Sequence, residues 1–355
     1  MTTFVGDIDS ESTGRRPSPR RPVAVRIPSN LLVAACARLV ATHSPEPQAA
    51  AHRFIGAAEE HGIDLSLMWG VLDSAQTEVR QACLAVLGAG RTAMMFVSAD
   101  SRRIGPPAEQ ATLERIATID AACTALLTPI PGKSTKGVRL AQALLETRET
   151  GALIALRRSG FRQLGDLAYM RRQPGPLTRE VLGRAASPEL PAPFRMASVA
   201  DLTMSGRTST AIDAMLLEAL EASYIDTKDC PELCGLRDAS DVLESHKAVG
   251  RYDPAFWWLL LDSDRPVGCS LFSVSPEHDS LELVYLGLAP AARGKRIGAA
   301  LLLASLRQLG DRILMTGGVT CAVDTRNTAA LRLYQRASFR RFGVRIPMVR
   351  PLATT

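Results

Sequence analysis

The 355-residue sequence predicts a mixed α/β protein made of two tandem copies of one supersecondary plan. Segments with strand alternation and segments with helical periodicity follow one another in both halves, which calls for helices packed on mixed sheets. Part of the first half recurs in the second. ETRETGAL at 146–153 matches DTRNTAAL at 324–331, and at the same offset FRQLGDLAYMRR runs against FRRFGVRIPMVR. Phe161 falls on Phe339, Gly165 on Gly343 and Met170 on Met348. About eleven of some twenty-seven aligned positions are identical where chance gives roughly two. The length suits two domains of ordinary size.

Residues 1–28 are polar and rich in Pro and Arg, including GRRPSPRRP, and read as a solvated, disordered basic tail. The first copy, 29–175, follows with helical patterns in NLLVAACARLVATH and PQAAAHRFIGAAEEHG. A strand pair comes next in QACLAVLGAGRTAMMFVS, then a long helix in PAEQATLERIATIDAACTALL. A linker at 176–193 contains the Pro-rich SPELPAPF. The second copy, 194–355, reads strand FRMASV, helix TAIDAMLLEALEAS, an irregular stretch through DCPELCGLR, and a hairpin in AFWWLLLDSDRPVGCSLFSVS turning at 262–266. Strand LELVYLGLA then leads through PAARGKRIG into helix AALLLASLRQLG. Strand GVTCAVD, helix TAALRLYQRA and an extended FRRFGVRIPMVR complete it.

Composition narrows the function classes. Hydrophobic residues are 46% and charged residues 22%, an ordinary globular balance, and with aromatics at 5% the core must be mainly aliphatic. Seven scattered cysteines, an odd number without regular spacing, are a reduced, intracellular pattern. The lone pair Cys230 and Cys234 lacks a second ligand pair and the five histidines do not supply one, so no metal is expected. No apolar run is long enough to span a bilayer and no signal-peptide core opens the chain, so the expectation is a cytoplasmic protein without membrane contact. The net charge of +6 comes partly from the tail, and no nucleic-acid module follows it. The string GKST in IPGKSTKG lacks the preceding glycine of a phosphate-binding loop and lies between a helix and a strand, which excludes a nucleotide site there.

The chemistry is concentrated in LELVYLGLAPAARGKRIGAALL. A strand, a Gly- and Arg-rich turn and a helix N-terminus together make an anion site: the first helical N–H groups are unpaired and sit at the positive end of the helix dipole. Gly294 and Gly298 let a large anion approach the backbone, and Arg293, Lys295 and Arg296 add charge.

This order of elements, with RGKRIG at 293–298 after the strand and an Asn-containing turn before a helix bearing Leu-Tyr, resembles the GNAT superfamily of acyl-CoA-dependent N-acyltransferases over about residues 194–350. The resemblance implies two tandem GNAT-like domains, the second catalytic and using acetyl-CoA as co-substrate. It implies cofactor contacts at Leu286, Gly287 and Leu288 by strand-like pairing, at Arg293, Gly294, Lys295, Arg296, Ile297, Gly298 and Ala299 for the phosphates, and at Asn327. Arg296 stands where the family usually has its first motif glycine. A side chain there crowds the pyrophosphate, while an arginine can also bind phosphate. Tyr334 matches the family's acid for the leaving thiolate, and otherwise is a packed helix tyrosine. Glu282 resembles the family's general base, and otherwise is a solvent-facing sheet glutamate; His278 and Tyr285 are weaker choices. In the first copy Glu149 and Leu156 replace Asn327 and Tyr334 and no such turn precedes its long helix, so that copy is expected to be degenerate. The expected activity is acetyl transfer to a primary amine of a small molecule or protein by a monomer or homodimer. The alternative is a catalytically impaired acyl-CoA-binding sensor or scaffold.

Overall fold

The computed structural model describes residues 22–40, 44–99, 108–132, 136–175 and 189–352. Most of the basic tail, most of the linker, and Lys133, Ser134 and Thr135 of the GKST string lie outside the described residues.

The first half contains β1 (Val25–Arg26), α1 (Leu32–Val40), α2 (Pro47–Glu60), β2 (Met68–Leu72), β3 (Val79–Gly88), β4 (Thr92–Val97) and α3 (Ala108–Ala125). It ends with β5 (Leu140–Leu145), α4 (Thr150–Arg158), β6 (Arg162–Gln163) and β7 (Leu167–Arg172). The second half has β8 (Phe194–Ser198), α5 (Val199–Met204), α6 (Ser209–Tyr224), α7 (Ala239–Lys247), β9 (Arg251–Asp262), β10 (Arg265–Ser275) and β11 (Ser280–Leu288). There follow α8 (Ile297–Leu309), α9 (Asp311–Leu314), β12 (Val319–Asp324), α10 (Thr328–Arg336) and β13 (Arg340–Pro351). Local chemistry sets the starts. Ser198 and Asp201 form a reciprocal capping box on α5, and the Thr208 hydroxyl accepts from Ala211 N to cap α6. The β9–β10 hairpin turns where sequence alternation breaks, with Ser263 in the left-handed region at φ +58°.

All these strands join one mixed sheet in the order β1-β2-β3-β4-β5-β13-β7-β12-β11-β10-β9-β8, with β6 also on β13. The two halves have exchanged their last strands. β13 lies antiparallel against β5 of the first half, with Ile346 opposite Leu145 and Met348 opposite Ala143. β7 lies antiparallel against β12 of the second, with Ala168 opposite Val323 and Met170 opposite Cys321. The sequence offset that carries Glu146 onto Asp324 carries one set of pairings onto the other, and carries α4 onto α10 end for end. The exchange therefore has pseudo-twofold symmetry, and β7 and β13 pair with each other at its centre.

Each core takes side chains from the other half. Ile346 and Met348 of β13 are buried with Met95, Ile119, Leu126, Leu156 and Phe161. Ala168 and Met170 of β7 are buried with Leu283, Leu302, Leu306, Val323 and Phe339 beneath α8 and α10. On the opposite face of the second half, α6 and α7 cover Trp257, Leu259 and Leu271. β11 pairs with β10 along its length, and its other edge meets β12 only at its start.

Candidate active site

β11 and β12 run parallel, but they pair only at Leu281 with Val319 and Glu282 with Thr320. Beyond Glu282 the two strands diverge, whereas β11 stays paired to β10 as far as Leu288 opposite Gly268. Leu286, Gly287 and Leu288 therefore present an open backbone edge inside the sheet, to which an extended, amide-bearing chain can add as a strand. The register slips between Leu271 and Phe272, which lie opposite Tyr285 and Leu283, so Val284 is an extra residue and the strand bulges there. As a result Val284 and Tyr285 both pack toward α6, while Leu283 and Leu286 pack toward α8 and α10.

The open edge leads directly to the start of α8. Leu286 and Leu288 pack with Ile297 and Leu301, which seats the helix N-terminus at the end of the strand. Gly294 has φ +75°, a conformation that favours glycine, and Arg296 has φ +63° and ψ 5°. No side chain caps α8 and no acidic residue stands in its first turn. The Ala299 amide donates to Arg296 O at 3.1 Å, so the amides ahead of it are the ones left for an anion. A Cβ on Gly298 would meet only the flexible Leu288 Cδ1, at 3.3 Å. These features fit a phosphate-bearing chain.

Two of the expected contacts are committed elsewhere. Arg293 donates from Nε to Leu288 O (2.9 Å), from Nη2 to Ser223 O (2.7 Å) and from Nη1 to Asp226 O (3.2 Å). Its guanidinium ties the end of α6 to the end of β11. Asn327 caps α10, its Oδ1 accepting from Ala330 N at 3.1 Å, and it also hydrogen-bonds Asp229.

Arg296 supplies a test of the left-handed turn. Relief of a non-glycine residue in this conformation is worth about 1–2 kcal/mol, against about 0.5–1 kcal/mol for the extra freedom glycine has when unfolded. Arg296→Gly is expected to raise Tm by about 1–3 °C, and Arg296→Lys, which keeps the conformation, to leave it unchanged. Calorimetric melting of both variants checks this.

The proton-transfer candidates approach the splay from opposite faces. Tyr334 is 6% exposed, its ring lies 5.5 Å from Phe339, and it belongs to the core under α10. Burial pushes its phenol well above the usual range, with Cys321, Asp229 and Tyr285 adding to the effect. The phenol is therefore protonated at physiological pH, with its O–H available as a hydrogen-bond donor. Glu282 points to the other face and is half-buried, and burial raises its carboxyl while His278 opposes the rise. His278 itself sits on an exposed turn, with Nδ1 3.1 Å from Ser275 Oγ. Tyr285 is bound to Ser223 Oγ at 2.6 Å and stacked on His246 at 5.3 Å, so it is an inward packing group. Burial, then the Arg237 charge, holds His246 down to about 4, which keeps it neutral.

Sequence reasoning missed Asp229, a carboxylate whose charge bears on the Tyr334 phenol, because it lies in a stretch without periodicity. Its Oδ1 accepts from Asp324 N (2.8 Å), and Asp324 Oδ2 accepts from Cys230 N (3.1 Å). Arg326 then bridges Asp324 and Glu232, at 2.6 Å to each. This cluster pins the α6–α7 connection to the β12–α10 turn. Cys230, Leu233 and Leu236 of the same connection pack on Leu140, Leu164 and Val349, and Arg237 donates to Gly90 O at 3.2 Å. The first half thus supports the loop beside the site. At the corresponding place in the first half, Leu156 is fully buried and Glu149 accepts from Glu146 N at 2.5 Å. Among the described residues no His, Cys, Asp and Glu cluster could hold a metal ion, and no helix is long and apolar enough to cross a membrane.

Comparison with known proteins agrees with this geometry. The profile of the acetyltransferase (GNAT) family matches residues 218–339. A curated mycothiol acetyltransferase of Rhodococcus erythropolis is 38% identical over 129 residues, 34% of this chain and 42% of that protein. Another from Geodermatophilus obscurus is 38% identical over 110 residues, 29% of this chain and 34% of that protein. Each match spans less than half of the curated relative. The crystal structure of a GCN5-related N-acetyltransferase from Sphaerobacter thermophilus is 20% identical and covers 94% of this chain and 96% of its own, with a TM-score of 0.56. That likeness extends the shared fold across both halves. The second half of this chain contains an acetyltransferase domain of the GNAT family.

Proposed function

We propose that this protein transfers acetyl from acetyl-CoA to a primary amine by direct attack, with residues 194–355 catalytic and residues 29–175 a silent copy. The observation that carries the reading is the free edge of β11 running straight into the uncapped N-terminus of α8, beside the protonated phenol of Tyr334. On this reading Leu286, Gly287 and Leu288 hold the pantetheine arm, and the turn from Gly294 to Gly298 holds the phosphates. Glu282 takes the amine proton directly or through water, and Tyr334 gives a proton to the departing sulfur. Its acetyl-transferring relatives are named for mycothiol, which makes a mycothiol-related amine the first acceptor to try. Tyr334 at the splay weighs against a sensor that has lost its chemistry.

Labelled acetyl-CoA and the full chain, offered de-acetylated mycothiol and a panel of primary amines, test this reading. One acetylated amine and one CoA per chain are expected. Two equivalent CoA molecules would show the first copy to be competent, and CoA binding without transfer to any amine would favour the sensor. Gly298→Glu should fold, because its carboxylate suits a helix N-terminus, yet weaken CoA by about tenfold to a hundredfold or more through loss of one or two charged hydrogen bonds. Unchanged affinity by calorimetry would remove the phosphates from this turn.

A further inference from the structure

Building on the acetyl-transfer reading, we propose that Tyr169, carried from the first half into the second by the exchanged strand, is an acceptor-binding residue: it walls the amine side of the site beside Glu282. The parity of three neighbouring strands places it there. β7 turns Ala168 and Met170 into the core under α8 and α10, and so turns Tyr169 and Arg171 to the opposite face. β12 buries Val319, Cys321 and Val323 on the core side and presents Thr320 and Ala322 on the other. β11 buries Leu281 and Leu283 and presents Glu282. The register aligns Arg171, Thr320 and Glu282 in one row across the sheet, with Tyr169 opposite Ala322 in the next row.

Tyr169 stands one row farther along, so at the usual strand spacing and rise its Cα lies about 12 Å from that of Glu282. The Tyr169 ring and the Glu282 carboxylate can close most of that gap and still admit a small amine. Tyr169, Arg171, Thr320 and Glu282 are all half-buried, so this strip is open to solvent in part. The ring is held from behind by Phe342, edge-on at 6.1 Å, and Arg171 lies over Phe342 at 5.5 Å. On the Glu282 side of the sheet stand Tyr169 and Arg171 from β7 and Thr320 from β12, with His278 on the turn before β11 and Arg345 of β13 beside Tyr169. Arg345 is itself held by Glu146 of the first half at 3.2 Å. Burial, then the Glu282 charge, raises the Tyr169 phenol, and Arg345 opposes them. Tyr169 thus offers a neutral donor and a flat apolar wall, and shields Glu282 from water.

The full chain carrying Tyr169→Phe or Tyr169→Ala tests the proposal in two arms. The first is NMR titration of Glu282 in protein labelled with 13C-glutamate. Alanine admits water, so the Glu282 pKa should fall toward the ordinary range, while phenylalanine, which keeps the wall, should leave it in place. The second arm uses de-acetylated mycothiol as acceptor. KM for it should rise about two- to tenfold for phenylalanine through one lost hydrogen bond, and more for alanine, with CoA affinity unchanged in both. An unmoved Glu282 titration in the alanine variant, or an unchanged acceptor KM in both variants, overturns the proposal. If the alanine variant does not fold, the phenylalanine KM decides. Wild-type protein that binds CoA but acetylates no amine would count against the acetyl-transfer reading, and the titration arm still decides where Tyr169 stands.

Discussion

Residues 189–352 expressed without the first half are expected to be insoluble, or to form a dimer by trading β13 strands, and not to yield a folded monomer. Alone, β12 loses β7, and β13 loses both β5 and β7. Bare strand edges of this kind pair with other chains. The core under α8 and α10 loses Met170 and Ala168, while Ile346 and Met348 lose the core they occupy in the first half. At about 1.5–3 kcal/mol for each large side chain, the three come to roughly 5–9 kcal/mol, comparable with the whole stability of a domain at about 5–15 kcal/mol. Co-expression of residues 22–175 as a separate chain should restore solubility, because the missing strand is then supplied in trans. Size-exclusion chromatography of the fragment with and without its complement reads the result. A monomeric fragment that binds CoA as the full chain does would show that the exchange is dispensable.

The repeat is plain in the sequence, yet the exchange is hidden in it. The offset that aligns 161–172 with 339–350 is the same whether each last strand returns to its own half or crosses to its neighbour, since Ile346 opposite Leu145 and Ala168 opposite Val323 are equivalent pairings. Boundaries drawn at 175 and 194 follow the chain, and the sheet does not divide there. For the same reason Tyr169 could not be read as a site residue: it falls in the copy that lacks the motif. The glycine-rich turn was legible by residue type, and the left-handed backbone of Arg296 gives a second physical reason why a glycine serves there. The commitments of Arg293 and Asn327 were not legible. Their partners, Ser223 O, Asp226 O and Asp229, lie about a hundred residues or fewer upstream, in or beside a segment with no periodic pattern.

Tyr334→Phe is expected to lower kcat by roughly ten- to a thousandfold, with CoA affinity nearly unchanged. Phenylalanine keeps the ring against Phe339 and the core beneath α10, so only the donor is lost. As the sulfur departs, negative charge develops on it in a water-poor site, and a protonated phenol stabilises that charge by hydrogen bonding or by giving up its proton. The lower end of the range applies where a water molecule takes the place of the hydroxyl. Glu282→Gln provides the contrast in pH dependence. Burial raises the Glu282 carboxyl, so the base form accumulates only as pH climbs through that raised pKa, and the wild-type rate should climb with it. The glutamine variant loses this limb, and its deficit shrinks at high pH, where the amine arrives already deprotonated. The stability sign runs the other way: a carboxyl raised in the fold favours the native state below its unfolded pKa, and that contribution is lost as pH rises through the folded pKa. Glu282→Gln should therefore melt no lower than wild type at neutral pH, which separates lost catalysis from lost folding. Stopped assays with de-acetylated mycothiol between about pH 6 and 9, a range spanning the transition from protonated to free base for an activated amine, measure both variants. A wild-type kcat for Tyr334→Phe across that range would reduce Tyr334 to a packing residue and leave the thiolate without its acid.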